Sequence, residues 1–334
     1  MKKQILYTLF IFQFTFLSAQ TFTNYRLINY TVDIDSLGDW IPFKQFTYTY
    51  TDERGGTTNH TVYPYFRGEL NFDEGLEETW MEDMYDPQYQ KTRTYDADNL
   101  VIEELTLAWD PLTGYYVNYQ QEIFTNTDGK LVQKNKNQWN ASTYEPVYEV
   151  DYTYFGDLLI QRLEKEFSGA VYENNSQTFF NYDASGNYAT IEIQNWVGSA
   201  WQDYLKYTYT YNVDGNCINI RVEKNDGSGF ENFYQTIYNY DGAGVLLNYE
   251  IQVSDGTGWN NQFLTEVAWD GNENISEVII KVWDGFADYI NNERYVYTYE
   301  AYEITSIEIP ETFYLTISPN PTSDALQFQS SEII

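Results

Sequence analysis

The side chains that most often carry catalysis or bind transition metals are scarce in this sequence. It contains one histidine, His60, and one cysteine, Cys217. A Ser-His-Asp or Cys-His site would have to use His60, and the usual zinc sites need more His and Cys ligands than the chain has. His60 ends a Gly-Gly-Thr-Thr-Asn-His segment that is typical of an exposed loop. The sequence therefore predicts no catalytic residues and a protein that is not an enzyme.

Oxygen-bearing side chains alternate in one predicted turn, at Asp270, Asn272 and Asn274. Calcium takes six to eight oxygen ligands, and this turn supplies part of such a set. The same residue types favour tight turns without any ion. Calcium is therefore the one cofactor hypothesis that the sequence supports, beside the simpler interpretation of these residues as turn formers.

A third group of candidate residues is aromatic and regularly spaced. The last aromatic residue before each turn forms an anchor series with intervals of 28 to 30 residues, in which one position is not aromatic. The series is Tyr95, Thr125, Tyr154, Tyr182, Tyr211, Tyr240, Trp269 and Tyr299. Ten residues before each anchor stands another aromatic residue, and this ladder includes Trp201, Phe230, Trp259 and Tyr289. Trp40 and Tyr50 show the same separation, so the repeat region is predicted to begin at residue 40.

The ladder has two interpretations. Aromatic rings with polar edges suit carbohydrate faces and protein anchors, which predicts a binding platform at Trp201, Phe230, Trp259 and Tyr289. Aromatic pairs across neighbouring strands also hold sheets together, and a feature present in every unit is best explained by folding.

The elements that position these residues are predicted to be β-strands. Leu205, Tyr207, Tyr209 and Tyr211 alternate with Lys206, Thr208 and Thr210, a period of two that is typical of half-buried strands. Asp-Gly pairs separate the strands and favour hairpin turns. We expect an all-β fold of about eight or nine two-stranded antiparallel hairpins of about 29 residues, forming an elongated coiled sheet or β-solenoid. A closed barrel or a stacked pair of sheets is the alternative, and a four-stranded-blade propeller is disfavoured.

Charge and the N-terminus bound the location of the protein. The formal net charge of −32 repels phosphate backbones, so we expect no nucleic-acid partner. Lys2 and Lys3 precede an apolar run that ends near Leu17, and Ser18-Ala19 follows. This pattern predicts a secretory signal peptide over residues 1–19 and no transmembrane segment in the mature chain.

Two turn motifs resemble the YD repeats of RHS-type bacterial surface and toxin-shell proteins. They are Tyr182-Asp-Ala-Ser-Gly-Asn187 and Tyr211-Asn-Val-Asp-Gly-Asn216. The resemblance covers residues 40–300 and implies stacked strand-turn-strand units. The unit here is longer than the usual YD unit.

The C-terminus resembles a second family. Tyr314-Leu-Thr-Ile-Ser-Pro-Asn-Pro-Thr-Ser-Asp-Ala-Leu-Gln-Phe328 is similar to the opening of the type A C-terminal sorting domain of the type IX secretion system in Bacteroidetes. The resemblance implies a sorting motif at Pro319, Asn320, Pro321 and Asp324. It also implies the secretion machinery as a partner, and delivery to the outer face of the outer membrane or to the medium. The sequence carries only the start of that domain, as expected of either a truncated sequence or a degenerate signal.

These observations predict a signal peptide over 1–19, a lead-in over 20–39, a repeat region over 40–303 with an insertion at about 55–78, a linker over 304–312 and the sorting segment over 313–334. The leading functional hypothesis is a secreted or cell-surface protein with a structural or interaction role. The alternatives are a carbohydrate-binding or adhesin module that uses the ladder and, third, a glycan-active enzyme. Glycans and surface proteins are the expected ligands.

Overall fold

The structure is a computed structural model that describes residues 23–51, 54, 70–303, 315–319 and 326–330. Every element in these residues is a β-strand. Long strands separated by short turns follow from the period-two alternation of Tyr, Ile, Val and Thr. The strands are β1 Thr23–Ser36, β2 Asp39–Thr49, β3 Glu74–Met81, β4 Met84–Tyr95, β5 Val101–Asp110, β6 Tyr115–Thr127, β7 Lys130–Trp139, β8 Tyr144–Phe155, β9 Leu158–Phe167, β10 Tyr172–Tyr182, β11 Tyr188–Val197, β12 Ala200–Tyr211, β13 Cys217–Asn225, β14 Phe230–Tyr240, β15 Leu246–Ser254, β16 Trp259–Trp269, β17 Ile275–Trp283, β18 Tyr289–Glu303, β19 Leu315–Pro319 and β20 Leu326–Ser330.

The repeats form a closed antiparallel β-barrel, so the prediction of an elongated coiled sheet or β-solenoid is wrong. Strands β1 to β18 pair in chain order, and β1 pairs with both β2 and β18. Closure leaves neither end strand with a free row of backbone donors and acceptors, whereas an open sheet would leave two such edges. The prediction of an all-β protein built from antiparallel hairpins is confirmed.

The closing strand comes from outside the predicted repeat region. β1 lies within the lead-in of residues 20–39, and its side chains contact the last repeat. Arg294 on β18 donates hydrogen bonds to Asp33 on β1 through Nε at 3.0 Å and Nη2 at 2.5 Å. The rings of Tyr30 and Tyr297 lie 5.6 Å apart. An ion pair and an aromatic contact thus join the two ends of the barrel.

A recurrent side-chain hydrogen bond explains why the anchors are Tyr or Trp. In seven units the anchor donates from its hydroxyl or indole N–H to the backbone carbonyl oxygen of the residue 23 positions earlier, at 2.5 to 3.0 Å. Tyr211, for example, bonds the carbonyl of Tyr188, at the start of the strand that precedes its own. We call this bond the clasp. The donor–acceptor pairs are Tyr50–Leu27, Tyr95–Phe72, Tyr154–Leu131, Tyr182–Leu159, Tyr211–Tyr188, Tyr240–Cys217 and Trp269–Leu246.

In two units the anchor residue does not donate this hydrogen bond. At the non-aromatic anchor Thr125, the next residue supplies the donor instead: Asn126 Nδ2 bonds the carbonyl of Val101 at 2.9 Å. At the last anchor, the hydroxyl of Tyr299 is buried and has no hydrogen-bond partner among the described residues.

In five units the residue after the anchor caps the following turn. Oδ1 of Asp183 accepts hydrogen bonds from the backbone N–H groups of Ser185 and Asn187. The same pattern recurs in the turns that begin at Asp96, Asn212, Asp241 and Asp270. In these five turns the fourth residue after the anchor adopts a positive φ, and Gly215 at +84° shows why glycine is favoured there.

The inner face of the barrel has an apolar sector. Ile191, Tyr207, Val222 and Tyr238 are buried on adjoining strands and belong to one hydrophobic cluster. Ile191 lies opposite Tyr207, and Tyr207 lies opposite Val222, so their side chains share one face of the sheet. Cys217 is buried in the same cluster. These contacts supply the hydrophobic core of the fold.

The inner face of β4 to β9 is a charged sector instead. Glu104 is 5% exposed and pairs with Arg93 at 2.7 Å and Lys91 at 3.3 Å. Burial opposes ionisation of Glu104, but the two cations outweigh it and hold the pKa of this carboxyl below its ordinary value. The same sector carries the ion pairs Lys134–Glu122 and Arg162–Glu164. Several of the chain's few cations are therefore neutralised inside a strongly acidic protein.

The outer face is polar along the middle of the strands. Gln161, Gln177, Gln194 and Asp203 form a hydrogen-bonded row across β9 to β12, at 3.1, 2.6 and 2.7 Å. A second row of this kind crosses β13 to β16 through Asn219, Gln235, Gln252 and Asn261. These rows satisfy the amide groups of neighbouring strands on the side opposite the core.

Residues Tyr25–Glu300 form one compact unit, and Met1–Asn24 with Ala301–Ile334 form a second. Within the second unit β19 pairs antiparallel with β20, from Leu315 opposite Ser330 to Pro319 opposite Leu326. No helix in the described part of the chain is long and apolar enough to cross a membrane.

Replacing Tyr211 with Phe tests the clasp. Tyr211→Phe keeps the ring but removes the donor to the Tyr188 carbonyl, so the free energy of unfolding is expected to fall by about 1 to 2 kcal/mol. Urea unfolding followed by far-UV circular dichroism measures this change.

Tyr115→Phe is the matched control because Tyr115 is 73% exposed and is not an anchor. Its expected change is within about 0.5 kcal/mol. Tyr299→Phe, which removes a buried hydroxyl without a described partner, should cause no loss. Equal losses in Tyr211→Phe and Tyr115→Phe would show that the clasp contributes nothing specific.

Candidate functional site

The predicted ladder lies on the outer face of the barrel, opposite the anchors. Ile193 faces inward beside Leu205, and alternation along β11 places Trp196 on the outer face, where it pairs with Trp201. A β-bulge at Tyr204 separates Trp201 from Tyr211 on the same strand. Without the bulge, the even spacing of ten residues would have put both residues on one face. The bulge therefore moves the ladder out of the core.

The ladder is part of a larger ring. The nine hairpins that join odd-numbered strands to the next even-numbered strand turn at one rim, and each ends in a pair of outward residues. Of these eighteen positions, fifteen are aromatic, and we call them the outer collar. They are Trp40, Trp80, Tyr85, Trp109, Tyr116, Trp139, Tyr144, Phe167, Tyr172, Trp196, Trp201, Phe230, Trp259, Trp283 and Tyr289.

Six hairpins carry an aromatic residue on both strands, and their rings meet edge to face. Trp196 and Trp201 have centroids 4.9 Å apart at 65°, and Trp283 and Tyr289 are 5.1 Å apart at 69°. The other four pairs have the same geometry. The Tyr289 hydroxyl also donates to Glu250 at 2.6 Å. Trp201 and Tyr289 are therefore engaged in cross-strand packing that stabilises the rim.

Phe230 and Trp259 differ from the rest of the predicted ladder. Their partners across the hairpin are Asn225 and Ser254, so no ring packs on that side. Phe230 is 37% exposed. We call these two adjoining hairpins, residues 225–230 and 254–259, the polar interval of the collar.

The turns of the polar interval hold fixed carboxylates. Asp255 accepts hydrogen bonds from the backbone N–H and the hydroxyl of Thr257, both at 2.8 Å, and from Asn260 Nδ2 at 3.1 Å. The bonds from Thr257 are the main cause that lowers the pKa of Asp255 far below its ordinary value. Asp226 accepts equivalent bonds from Ser228. Two aromatic rings thus stand beside ionised, oriented acceptors, an arrangement that can bind a polyhydroxylated ligand.

The predicted calcium turn is held together by its own hydrogen bonds. Oδ1 of Asp270 accepts from the backbone N–H groups of Asn272 and Asn274, and Oδ2 accepts from Asn274 Nδ2. Burial opposes ionisation of Asp270, but these donors lower its pKa below the ordinary value. Oδ1 of Asn272 accepts the hydroxyl of Tyr25 at 3.0 Å. An ion would have to displace these donors, and calcium binding stays a prediction.

Several predicted residues lie outside the described part of the chain. His60, the signal peptide of residues 1–19, and Asn320, Pro321 and Asp324 of the sorting motif belong to this group. Pro319 is the last residue of β19. In the described residues, no group of three or more His, Cys, Asp or Glu side chains is placed to hold a metal ion.

Sequence reasoning missed the other half of the collar. The partner aromatics stand at the ends of odd-numbered strands, and the ten-residue rule does not reach them. A usable signal was present: Trp196 lies five residues before Trp201, and Asn225 stands at the same distance before Phe230. The rule also selected Tyr115, which is exposed, whereas its neighbour Tyr116 makes the pair with Trp109.

No family model matches this chain, and no curated protein matches it either. Among solved structures it is similar to a porin-like protein from Bacteroides uniformis, with 13% identity and a TM-score of 0.41 over 82% of this chain and 98% of that one. A porin-like protein from Bacteroides vulgatus gives 12% identity and a TM-score of 0.30, over 66% of this chain and 95% of that one. The TcdB2-TccC3 structure gives 11% identity and a TM-score of 0.28, over 87% of this chain and 20% of that one. These TM-scores are too low for any conclusion about function.

Proposed function

We propose that this chain is an exported cell-surface protein whose barrel has an interaction role and whose outer collar is the recognition surface. The observation that carries the proposal is the ring of outward aromatic residues at one rim. Half-buried Tyr and Trp present large apolar faces with polar edges at low conformational cost, a property enriched in binding surfaces. The proposed role is not catalytic because the recurring side chains have folding roles in the clasp, the turns and the rim pairs.

We propose that the units are YD-type repeats. The Tyr of the motif is the donor of the clasp, the Asp caps the following turn, and the Gly takes the positive φ. Each residue of the motif therefore has a separate physical task within one hairpin. This division of tasks supports the resemblance, although the unit here is longer.

We also propose export through the signal peptide and the type IX route. The apolar run before Ala19 supports the first step. The antiparallel pair of β19, which ends at Pro319, and β20 supports the second, because the sorting domain opens with two such strands.

The export proposal is tested with a fluorescent reporter fused to residues 304–334 behind a signal peptide, in a bacterium that runs this secretion system. We expect the reporter at the cell surface or in the medium. An equal fusion with Pro319→Ala, Pro321→Ala and Asp324→Ala is the control and should stay in the periplasm. Periplasmic retention of the unaltered fusion would rule out a sorting function for this segment.

Carbohydrate binding at the polar interval is the second candidate function. Phe230 and Trp259 lack an aromatic partner across their hairpins, lie on two adjoining hairpins, and have oriented carboxylates in their turns. Sugars bind through stacking on such rings and hydrogen bonds to such acceptors. This candidate narrows the predicted platform from four residues to two.

A glycan array with the folded barrel tests this candidate, followed by titration of any ligand found. Phe230→Ala and Trp259→Ala are each expected to weaken binding at least about fivefold, since truncating a binding anchor costs more than about 1 kcal/mol. Phe155→Ala, at an exposed aromatic residue of the opposite rim, should leave affinity unchanged. An array without any signal would eliminate carbohydrate as the ligand class.

A further inference from the structure

Exposed apolar side chains stand on or beside the hairpin turns beyond the outer collar. Leu37, Leu112 and Phe286 are 103%, 94% and 92% exposed, and Met84 is 61% exposed. Isolated apolar residues on a surface are ordinary. These four belong instead to four hairpins that are consecutive around the barrel, β17–β18, β1–β2, β3–β4 and β5–β6. We call them the apolar arc.

The arc spans a considerable length of the rim. Neighbouring strands lie about 4.8 Å apart, so successive hairpins are about 10 Å apart and the four turns cover about 30 Å. The polar interval belongs to other hairpins, β13–β14 and β15–β16. The arc is therefore separate from the proposed carbohydrate site.

The turns hold these side chains in place. Asp110 Oδ1 accepts the backbone N–H of Leu112 at 2.9 Å, and Asp284 Oδ1 accepts that of Phe286 at 2.7 Å. In the third turn Asp35 Oδ1 accepts the N–H of Gly38, the residue after Leu37, at 3.3 Å. In all three turns an Asp stands two residues before the exposed apolar side chain. An ordered turn that presents a large apolar group to water gains nothing for folding, which indicates a binding role.

We propose that the apolar arc seats the rim of the barrel shallowly on a bilayer of zwitterionic lipids. The order of side chains matches the depth profile of a membrane interface. Aliphatic and Phe side chains at the tips would enter the acyl boundary, and the Trp and Tyr rings of the collar would lie at headgroup level.

Charge selects the lipid class. The four turns, residues 37–38, 82–83, 111–114 and 284–288, contain no Lys or Arg and include Glu82, Asp83 and Asp284. Anionic lipids would repel this rim. Choline and ethanolamine headgroups present an ammonium group outermost, which suits both the carboxylates and the faces of the aromatic rings.

The contact is shallow because the outer face changes character beyond the collar. Membrane-spanning barrels carry an outward apolar band about 25 Å tall. Here the outward positions in mid-strand include the two hydrogen-bonded rows of Gln, Asn and Asp described above. Burying those rows in hydrocarbon would cost more than the tips gain.

Flotation with phosphatidylcholine vesicles tests the proposal on the full mature chain. The unaltered protein is expected to float with the vesicles, and high salt should not release it. The triple variant Leu37→Asn, Leu112→Ser, Phe286→Ser should lower the partition coefficient at least about tenfold. Asn is chosen at position 37 because the backbone there has a φ of +60°.

The matched control removes equally exposed apolar side chains from the opposite rim. Phe155→Ser with Val213→Ser alters residues that are 76% and 101% exposed, and it should leave flotation unchanged. Vesicles with one-third phosphatidylserine should bind less protein. Absence of flotation, or an equal loss of flotation in the control, would overturn the proposal. It would also be overturned if the unaltered protein is a dimer and the triple variant a monomer, since the arc would then be a self-association face. None of these outcomes bears on carbohydrate binding at Phe230 and Trp259.

Discussion

The barrel depends on one repeated hydrogen bond, from an anchor side chain to the backbone carbonyl 23 residues earlier. In seven units it fixes the end of an even-numbered strand to the preceding part of the chain, on the inner face of the barrel. Tyr and Trp combine a large apolar ring with a donor at its edge, and Phe lacks that donor. Where the anchor is Thr125, Asn126 supplies the donor to the Val101 carbonyl. In this unit the Val101 carbonyl therefore keeps a side-chain donor although the anchor has changed.

The two faces of the sheet carry different kinds of side chain. Anchors and aliphatic residues occupy the inner face over half of the barrel, and paired charges such as Glu104 with Arg93 occupy it over much of the other half. The outer face keeps amide rows in mid-strand and aromatic rings at one rim. A β-bulge in every hairpin of that rim separates the two aromatic series, so a chain with regular aromatic spacing has one series in the core and the other on the surface.

The repeat length, the strands and the turn chemistry were predictable because they depend on residues close in sequence. Tyr182, Asp183 and Gly186 act within one turn, and the period of two around Tyr207 reports directly on burial. Barrel closure was not predictable in the same way, because alternation is identical in an open and a closed sheet. The deciding contact joins Asp33 to Arg294, 261 residues apart, and β1 lacks the repeat motif. The outward position of Trp201 was also hidden, because a bulge inserts one residue without any sequence mark. The contrast between Phe230 and Trp201 appears only when the residue across the hairpin is known.

The collar and the arc depend on closure between β1 and β18, since an open sheet would have no continuous collar and no arc across the junction of β18 and β1. A short bis-maleimide applied to the double variant Asp33→Cys, Arg294→Cys measures it, with Lys165→Cys, Arg294→Cys as the control on distant strands β9 and β18. The closed barrel predicts an intramolecular cross-link between positions 33 and 294, identified by peptide mass spectrometry, and none in the control. A monomeric, folded double variant that gives no cross-link between positions 33 and 294 would contradict the closed barrel.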